Sequence, residues 1–118
     1  MRIGELAART GLSRDTLRFY ERSGLLVGIT RPNPANSYKD YAEANVQRLA
    51  VVACLKPLGF TLAECREILS VAMTDKGRRR VYAARKLAEV EERIRELEAA
   101  RDHLREVLRV SASPSSSS

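Results

Sequence analysis

The stretch that decides the fold is residues 3–26, IGELAARTGLSRDTLRFYERSGLL. Apolar residues recur at helical spacing on both sides of the short segment Thr10-Gly11-Leu12-Ser13. Gly11 suits the positive φ with which a helix often ends, and Ser13 suits the N-cap of the helix that follows. The stretch therefore predicts two short helices joined by a tight turn, which is a helix-turn-helix.

The second of these helices carries many groups that bind phosphates and base edges. The set predicted to face DNA is Ser13, Arg14, Thr16, Arg18, Tyr20 and Arg22. Because the second helix of a helix-turn-helix presents its N-terminal residues to the base edges, we expect Arg14 and Thr16 to read bases. The last three residues of the set are expected on phosphates. The alternative is a basic solvent face on an ordinary amphipathic helix, with Phe19 or Tyr20 in the core.

A segment that cannot be helical follows, because residues 27–41 contain two prolines and two asparagines. It predicts a loop or a short hairpin. Arg31, Tyr38, Lys39 and Tyr41 place cations and aromatic rings on this segment. Beside a helix-turn-helix, such a segment predicts a wing that lies against the sugar-phosphate backbone or in the minor groove. An ordinary surface loop whose tyrosines pack on the domain remains the alternative.

Two further helices are expected to complete the head, which is the DNA-binding part of the chain over residues 1–72. In residues 42–57 the apolar residues that fit one helical face are Val46, Leu49, Ala50, Ala53 and Cys54. Thr61 and Glu64 form a Thr-x-x-Glu capping box that begins the next helix. The apolar stripe of that helix is Leu62, Cys65, Ile68 and Leu69.

The C-terminal part predicts one long helix, residues 76–110, with an apolar seam. The seam residues, spaced by three and four, are Leu87, Val90, Ile94, Leu97, Arg101, Leu104 and Leu108. A seam of about three heptads needs a partner helix, so we expect a coiled coil and a homodimer. Arg101, the charged member, is expected to extend its charge to solvent or to meet an acidic residue of the partner.

Length and charge limit the class of protein. The 118 residues allow one compact domain and one extended element. The expected organisation is a DNA-binding domain over residues 1–72, a dimerisation helix over residues 76–110 and a disordered serine-rich tail over residues 111–118. A net charge of +6 favours an anionic partner. No apolar run approaches the ~20 residues of a membrane span, and no signal peptide precedes Ile3, so we expect a cytoplasmic protein without a membrane partner.

In this order, the motifs resemble those of the MerR family of bacterial transcription regulators. The resemblance rests on residues 3–26, on Arg31 with the SYKDY of residues 37–41, on LGFTLAECREIL at residues 58–69, and on the long helix. One departure lies in the wing, where Ser37 and Lys39 stand in place of the family's usual glycine and arginine. Serine lacks the freedom of glycine at positive φ, and lysine lacks the bidentate fork of arginine.

The resemblance implies an all-α fold with a winged helix-turn-helix head, a small β wing and a long C-terminal helix in an antiparallel coiled coil. It also implies a homodimer on a palindrome in double-stranded promoter DNA, where the spacer is too long for RNA polymerase. Such a dimer acts on the polymerase indirectly, by bending and untwisting the spacer. We expect no cofactor and no enzyme activity, since the chain has no Ser/His/Asp set and no phosphate-binding glycine loop.

The sequence says less about the signal to which such a regulator responds than about its fold. Metal-sensing members carry cysteines at both ends of the dimer helix, whereas residues 76–82 and 109–118 contain no cysteine or histidine, so no metal site is expected. Cys54 resembles the single reactive cysteine of the branch that answers aldehydes, electrophiles or nitrosative stress, and is the candidate sensor. Its alternative is inert packing, together with Cys65. A metal-responsive regulator and a coiled-coil interaction module without DNA binding are the alternative functions.

Overall fold

The computed structural model describes residues 1–71 and 74–112. In chain order the elements are α1 (Ile3–Thr10), α2 (Arg14–Arg22), β1 (Ile29–Thr30), β2 (Asp40–Tyr41), α3 (Ala44–Leu55), a 3-10 turn (Lys56–Leu58), α4 (Leu62–Val71) and α5 (Lys76–Ala112). Two compact units result, Met1–Tyr82 and Ala83–Ser118. The predicted all-α class with a small β wing and a long C-terminal helix is confirmed. Of the expected tail, residues 113–118 lie outside the described residues.

The turn between α1 and α2 has the geometry that its sequence predicts. Gly11 has a φ of 76°, and its N–H donates to the carbonyl of Ala7, which ends α1. The Ser13 hydroxyl oxygen accepts a hydrogen bond of 3.1 Å from the N–H of Thr16 and so caps α2. The helix-turn-helix is therefore fixed by local chemistry at both of its inner ends.

The capping box that begins α4 is also confirmed. The Thr61 hydroxyl oxygen accepts from the N–H of Glu64 at 3.1 Å, and the Glu64 carboxylate accepts from the N–H of Thr61 at 2.9 Å. Just before it, Gly59 has a φ of 95° and turns the chain out of the 3-10 turn. The Gly59-to-Glu64 segment thus sets the angle at which α4 leaves α3.

The head has two adjoining apolar clusters. The first contains Leu6, Leu17, Leu26, Tyr41 and Leu49. The second contains Leu25, Val52, Phe60, Cys65, Ile68 and Leu69. Helix α3 contributes to both clusters, through Leu49 and Val52, and the half-buried ring of Tyr20 packs against both. Helices α2 and α3 therefore hold the head together as one unit.

The buried face of α3 differs from the predicted one. Ala50, Ala53 and Cys54 are exposed, and the fully buried residues are Asn45, Leu49 and Val52. Asn45 replaces an apolar residue on this face because its side chain binds the backbone of the α2–β1 connection. A pattern of apolar letters cannot identify such a position, and small residues such as alanine fit either face of a helix.

Helix α5 is 37 residues long, about 55 Å at 1.5 Å per residue. The six apolar seam residues are each at least 39% exposed, from Val90 at 39% to Leu108 at 68%. No helix among the described residues is both long enough and apolar enough to span a membrane.

Candidate nucleic-acid interface

A cleft of about 300 Å³ lies between α2 and the wing, residues 27–41. The charged side chains of its lining, together with the ring of Tyr38, are Arg2, Arg14, Arg18, Glu21, Tyr38 and Lys39. Four of these six carry a positive charge, and Glu21 is the acidic member. A concave surface with this charge, beside the second helix of a helix-turn-helix, suits the sugar-phosphate backbone of DNA.

The expected base readers lie at the open end of α2. Arg14 is exposed, and its guanidinium lies over Gly4 of α1, where an added Cβ would come within 2.8 Å of its Nη2 atom. Gly4 therefore leaves room for the arginine. Thr16 is half-buried, and its hydroxyl oxygen accepts a 2.9 Å hydrogen bond from the hydroxyl of Ser13. The cap thus orients one of the two expected base readers.

The three expected phosphate contacts on α2 have different environments. Arg18 is 52% exposed and forms a 3.3 Å ion pair with Asp15, which is almost fully exposed. Such a surface pair contributes little free energy, so it does little to hold Arg18 away from another anion. Arg22 is exposed. Tyr20 belongs partly to the core, whereas Phe19 is 46% exposed, so of the two aromatic residues Tyr20 is the one that packs inward.

Glu21 joins the recognition helix, α2, to the wing. Its carboxylate accepts a hydrogen bond of 2.5 Å from Lys39 Nζ and one of 2.7 Å from the Tyr41 hydroxyl. Burial alone raises the pKa of Glu21, but the hydrogen bonds and the charge of Lys39 together outweigh it and lower the pKa from its ordinary value of 4.5. Burial and the hydrogen bond to Glu21 raise the pKa of Tyr41 to about 12. The carboxylate and the neutral phenol thus stabilise each other.

The wing is an ordered loop on two short strands. Ile29 pairs with Tyr41 in the antiparallel sheet. Within the loop, the side-chain oxygen of Asn33 accepts from the N–H of Ala35 at 2.9 Å, and that of Asn36 accepts from the N–H of Tyr38 at 3.0 Å. The asparagines of this segment therefore shape the loop. The predicted short hairpin is confirmed.

Arg2 is the cleft cation that the sequence does not predict. Its guanidinium carbon lies 4.2 Å from the centre of the Tyr38 ring, which is a cation–π distance. Tyr38 is itself 57% exposed. The wing residue Arg31 is exposed as well. The sequence shows Arg2 as a cation next to Ile3, but no local pattern predicts that its side chain contacts the wing.

The two cysteines have different surroundings. Cys65 is fully buried in the core, and this burial raises the pKa of its thiol. Cys54 is exposed on α3, so the interpretation of both cysteines as core residues is correct for Cys65 only. Neither forms a disulfide. Within residues 1–71 and 74–112, no group of three or more histidine, cysteine, aspartate and glutamate residues could hold a metal ion.

Two family models match this sequence. One, described as "MerR HTH family regulatory protein", matches residues 1–72, and the other, "MerR, DNA binding", matches residues 46–107. The chain belongs to the MerR family. As a MerR-family protein it is a DNA-binding transcription regulator, and the cleft between α2 and the wing lies within the first matched range.

Curated relatives agree with this assignment. The regulator HmrR of Rhizobium leguminosarum bv. viciae is 39% identical over 102 residues, which cover 82% of this chain and 75% of the relative. The mercuric resistance operon regulatory protein of Bacillus cereus is 33% identical over 102 residues, 81% of this chain and 74% of the relative. CueR of Salmonella typhi is 32% identical over 108 residues, which cover 88% of this chain and 76% of the relative.

Solved structures of MerR-family regulators share the fold. The regulator PbrR691 of Ralstonia metallidurans CH34, in complex with lead(II), aligns with a TM-score of 0.80 and 29% identity over 92% of this chain and 86% of that one. HiNmlR, a family regulator lacking the sensor domain and bound to promoter DNA, aligns with a TM-score of 0.55 and 25% identity, over 92% and 88% of the two chains.

Proposed function

We propose that this regulator binds a palindrome in double-stranded promoter DNA as a homodimer and acts on RNA polymerase indirectly, by distorting the promoter spacer. The observation that carries the proposal is the basic cleft between α2 and the wing. It presents Arg14 and Arg18 on one side and the exposed ring of Tyr38 on the other. Because the proposed target is promoter DNA, we also propose that the protein acts in the cytoplasm.

The predicted roles of the α2 residues are compatible with their environments. Arg14 and Thr16 lie in the first turn of α2, where a helix in the major groove reaches base edges. Arg18, Tyr20 and Arg22 lie further along the helix and are proposed to contact phosphates. Ser13 supports them by fixing the start of the helix. In the wing, Arg31 and Tyr38 are proposed to contact the backbone of the DNA.

The homodimer is proposed from α5. A seam of exposed leucine, isoleucine and valine side chains is a surface that a second copy of the same helix covers economically. In this chain the guanidinium of Arg101 pairs with its neighbour Asp102 at 3.0 Å, and both are at least half exposed. Since that pair is weak, Arg101 is able to turn to an acidic residue of the partner.

Footprinting on the promoter upstream of the gene, combined with in vitro transcription, tests this proposal. We expect two protected half-sites, a spacer made hypersensitive by distortion, and binding that weakens steeply as salt rises. A coiled-coil interaction module without DNA binding predicts no protection at any salt concentration. Protection without any effect on transcription would contradict the proposed action through the spacer.

Thiol modification of Cys54 is the switch that we propose for this regulator. The observation in its favour is exposure, because a reagent reaches Cys54 on α3, whereas Cys65 lies inside the core. Transcription is compared between the wild type and Cys54→Ser, each with and without an aldehyde or a nitrosating agent. We expect only the wild type to respond, and both proteins to footprint the same site. An equal response of both proteins would show that Cys54 is not the sensor.

The names of some relatives raise the alternative of a metal-responsive regulator. The cysteines and the histidine of the sequence are Cys54, Cys65 and His103. Cys54 is exposed on α3, Cys65 is buried in α4 and His103 is on α5. A soft metal site needs several convergent thiolate or imidazole ligands. The described residues do not fit such a site, so no step of the mechanism is assigned to a metal.

A further inference from the structure

We propose that Arg2 contacts a DNA phosphate and that Lys39, for which the sequence predicts this role, positions the wing instead. This inference rests on the proposed DNA interface, which it refines. It assigns the phosphate contact beside Tyr38 to Arg2 and not to Lys39, the residue that stands where the family usually has arginine.

The Lys39 ammonium is already neutralised. It lies 2.5 Å from the Glu21 carboxylate, and the two side chains are only 33% and 19% exposed. A move of Lys39 to a phosphate would leave a partly buried carboxylate without its cation, next to the negative charge of the DNA. Removing one member of a sheltered pair is costly, so the pair is expected to persist in the complex. Lys39 therefore holds the wing on α2 and adds no net charge to the cleft.

Arg2 has the opposite properties. Its side chain is exposed, and no ion pair in the described part of the chain neutralises it. The cation–π contact with Tyr38 requires no hydrogen bond from the guanidinium, so its N–H groups are available to a phosphate. A guanidinium held in this way is suited to bidentate binding of a phosphate, a geometry that lysine cannot provide.

The surrounding backbone holds Arg2 in this place. The N–H of Tyr41 donates to the carbonyl of Met1 at 2.6 Å, so the residue before Arg2 is paired with β2. Arg2 lines the main cleft and also a smaller cavity of about 90 Å³ against the wing loop, which Asn33 and Asn36 shape. The cation of Arg2 therefore lies at the point where α1, α2 and the wing meet.

The salt dependence of DNA binding distinguishes a phosphate contact from a structural role. Each neutralised phosphate contributes about 0.9 to the slope of log affinity against log salt for duplex DNA. For Arg2→Ala we expect the slope to fall by about 0.9 per head, while Arg2→Lys keeps the slope and binds more weakly. The double variant Glu21→Gln with Lys39→Met preserves net charge, and we expect it to lower affinity without changing the slope.

The measurement is a fluorescence-anisotropy titration of a promoter duplex at several salt concentrations, with thermal unfolding of each variant to confirm that it folds. An unchanged slope in Arg2→Ala would mean that Arg2 only supports the wing, and would overturn its assignment. A slope reduced by about 0.9 per head in the double variant would return the phosphate contact to Lys39. Salt-insensitive binding by the wild type would instead contradict the DNA interface as a whole.

Discussion

Asn45 is the polar side chain on which the connection between α2 and β1 depends. It is fully buried, accepts a 2.9 Å hydrogen bond from the N–H of Val27 and donates a 2.8 Å bond to the carbonyl of the same residue. One side chain thus satisfies both polar groups of a backbone unit that leaves the recognition helix. Because a polar residue occupies this buried position of α3, the pattern of apolar residues does not predict the buried face of that helix.

Asn45→Ala tests this role. The substitution leaves both backbone groups of Val27 without their partner, and we expect a loss of about 1–3 kcal/mol in the free energy of unfolding. Gln47→Ala, an exposed substitution on the same helix, is the matched control and should change stability by no more than about 0.5 kcal/mol. Chemical denaturation monitored by circular dichroism gives both values. Equal stability of the two variants would mean that water replaces the Asn45 side chain at no cost.

The bridge from Glu21 to Tyr41 makes stability depend on pH in two directions. The pKa of Glu21 is lowered in the folded state, so its stabilising effect is present above its ordinary pKa of 4.5 and is lost as pH falls through the lower folded value. The pKa of Tyr41 is raised to about 12, so its effect is present below the ordinary value of 10.0 and is lost as pH rises toward 12.

Glu21→Gln should weaken both effects. We expect the pKa of Tyr41 to fall from about 12 toward 10.0, since the carboxylate that disfavours the phenolate is gone. The loss of stability below pH 4.5 should also become smaller. Phenolate absorbance and denaturation across pH measure the two effects, and Tyr41→Phe identifies which of the four tyrosines ionises last. If the tyrosine that ionises last keeps the same pKa in Glu21→Gln, burial alone accounts for that high pKa.

At the scale of the elements, helix ends followed from the sequence and helix faces followed only in part. Gly11, Ser13 and the Thr61–Glu64 pair act on backbone groups within a few residues, so their local sequence is sufficient to predict them. The buried face of α3 depends on Val27, 18 residues earlier in the chain. The Arg2–Tyr38 and Glu21–Lys39 contacts are also made between distant segments. For that reason the sequence predicts the α2 cations and the wing residues of the cleft, but not Arg2, Glu21 or the contacts that they make.

The two N-caps provide a matched pair of variants. Ser13→Ala and Thr61→Ala each remove one side-chain acceptor from the first turn of a helix, and we expect each to lower the free energy of unfolding by about 1 kcal/mol. Because Ser13 also orients Thr16 at the proposed base-reading end of α2, only Ser13→Ala should weaken DNA binding by more than its effect on stability explains. Denaturation and anisotropy on the same samples compare them. Similar DNA affinity in both variants would argue against base reading by this end of α2.

At the scale of the whole molecule, the proposed mechanism requires two heads on one DNA. A single head offers one recognition helix and one cleft, which is sufficient for a half-site only. We propose that the seam of α5 supplies the second head, because its apolar side chains are exposed along more than twenty residues, from Leu87 to Leu108. Distortion of a spacer depends on this pairing, since bending DNA between two sites needs both to be held at once.

Leu97→Asp tests the pairing directly. Leu97 is 60% exposed in this chain, so an aspartate there is tolerated by the monomer but would place a charge in the proposed seam of the dimer. Glu96→Asp puts the same residue at the adjacent position outside the seam and serves as the control. Sedimentation equilibrium should give a monomer for Leu97→Asp and a dimer for Glu96→Asp. With the seam broken, footprinting should show weak half-site protection, and spacer hypersensitivity should disappear because one head cannot bend DNA alone. A tight dimer of Leu97→Asp would move the interface to another face of α5.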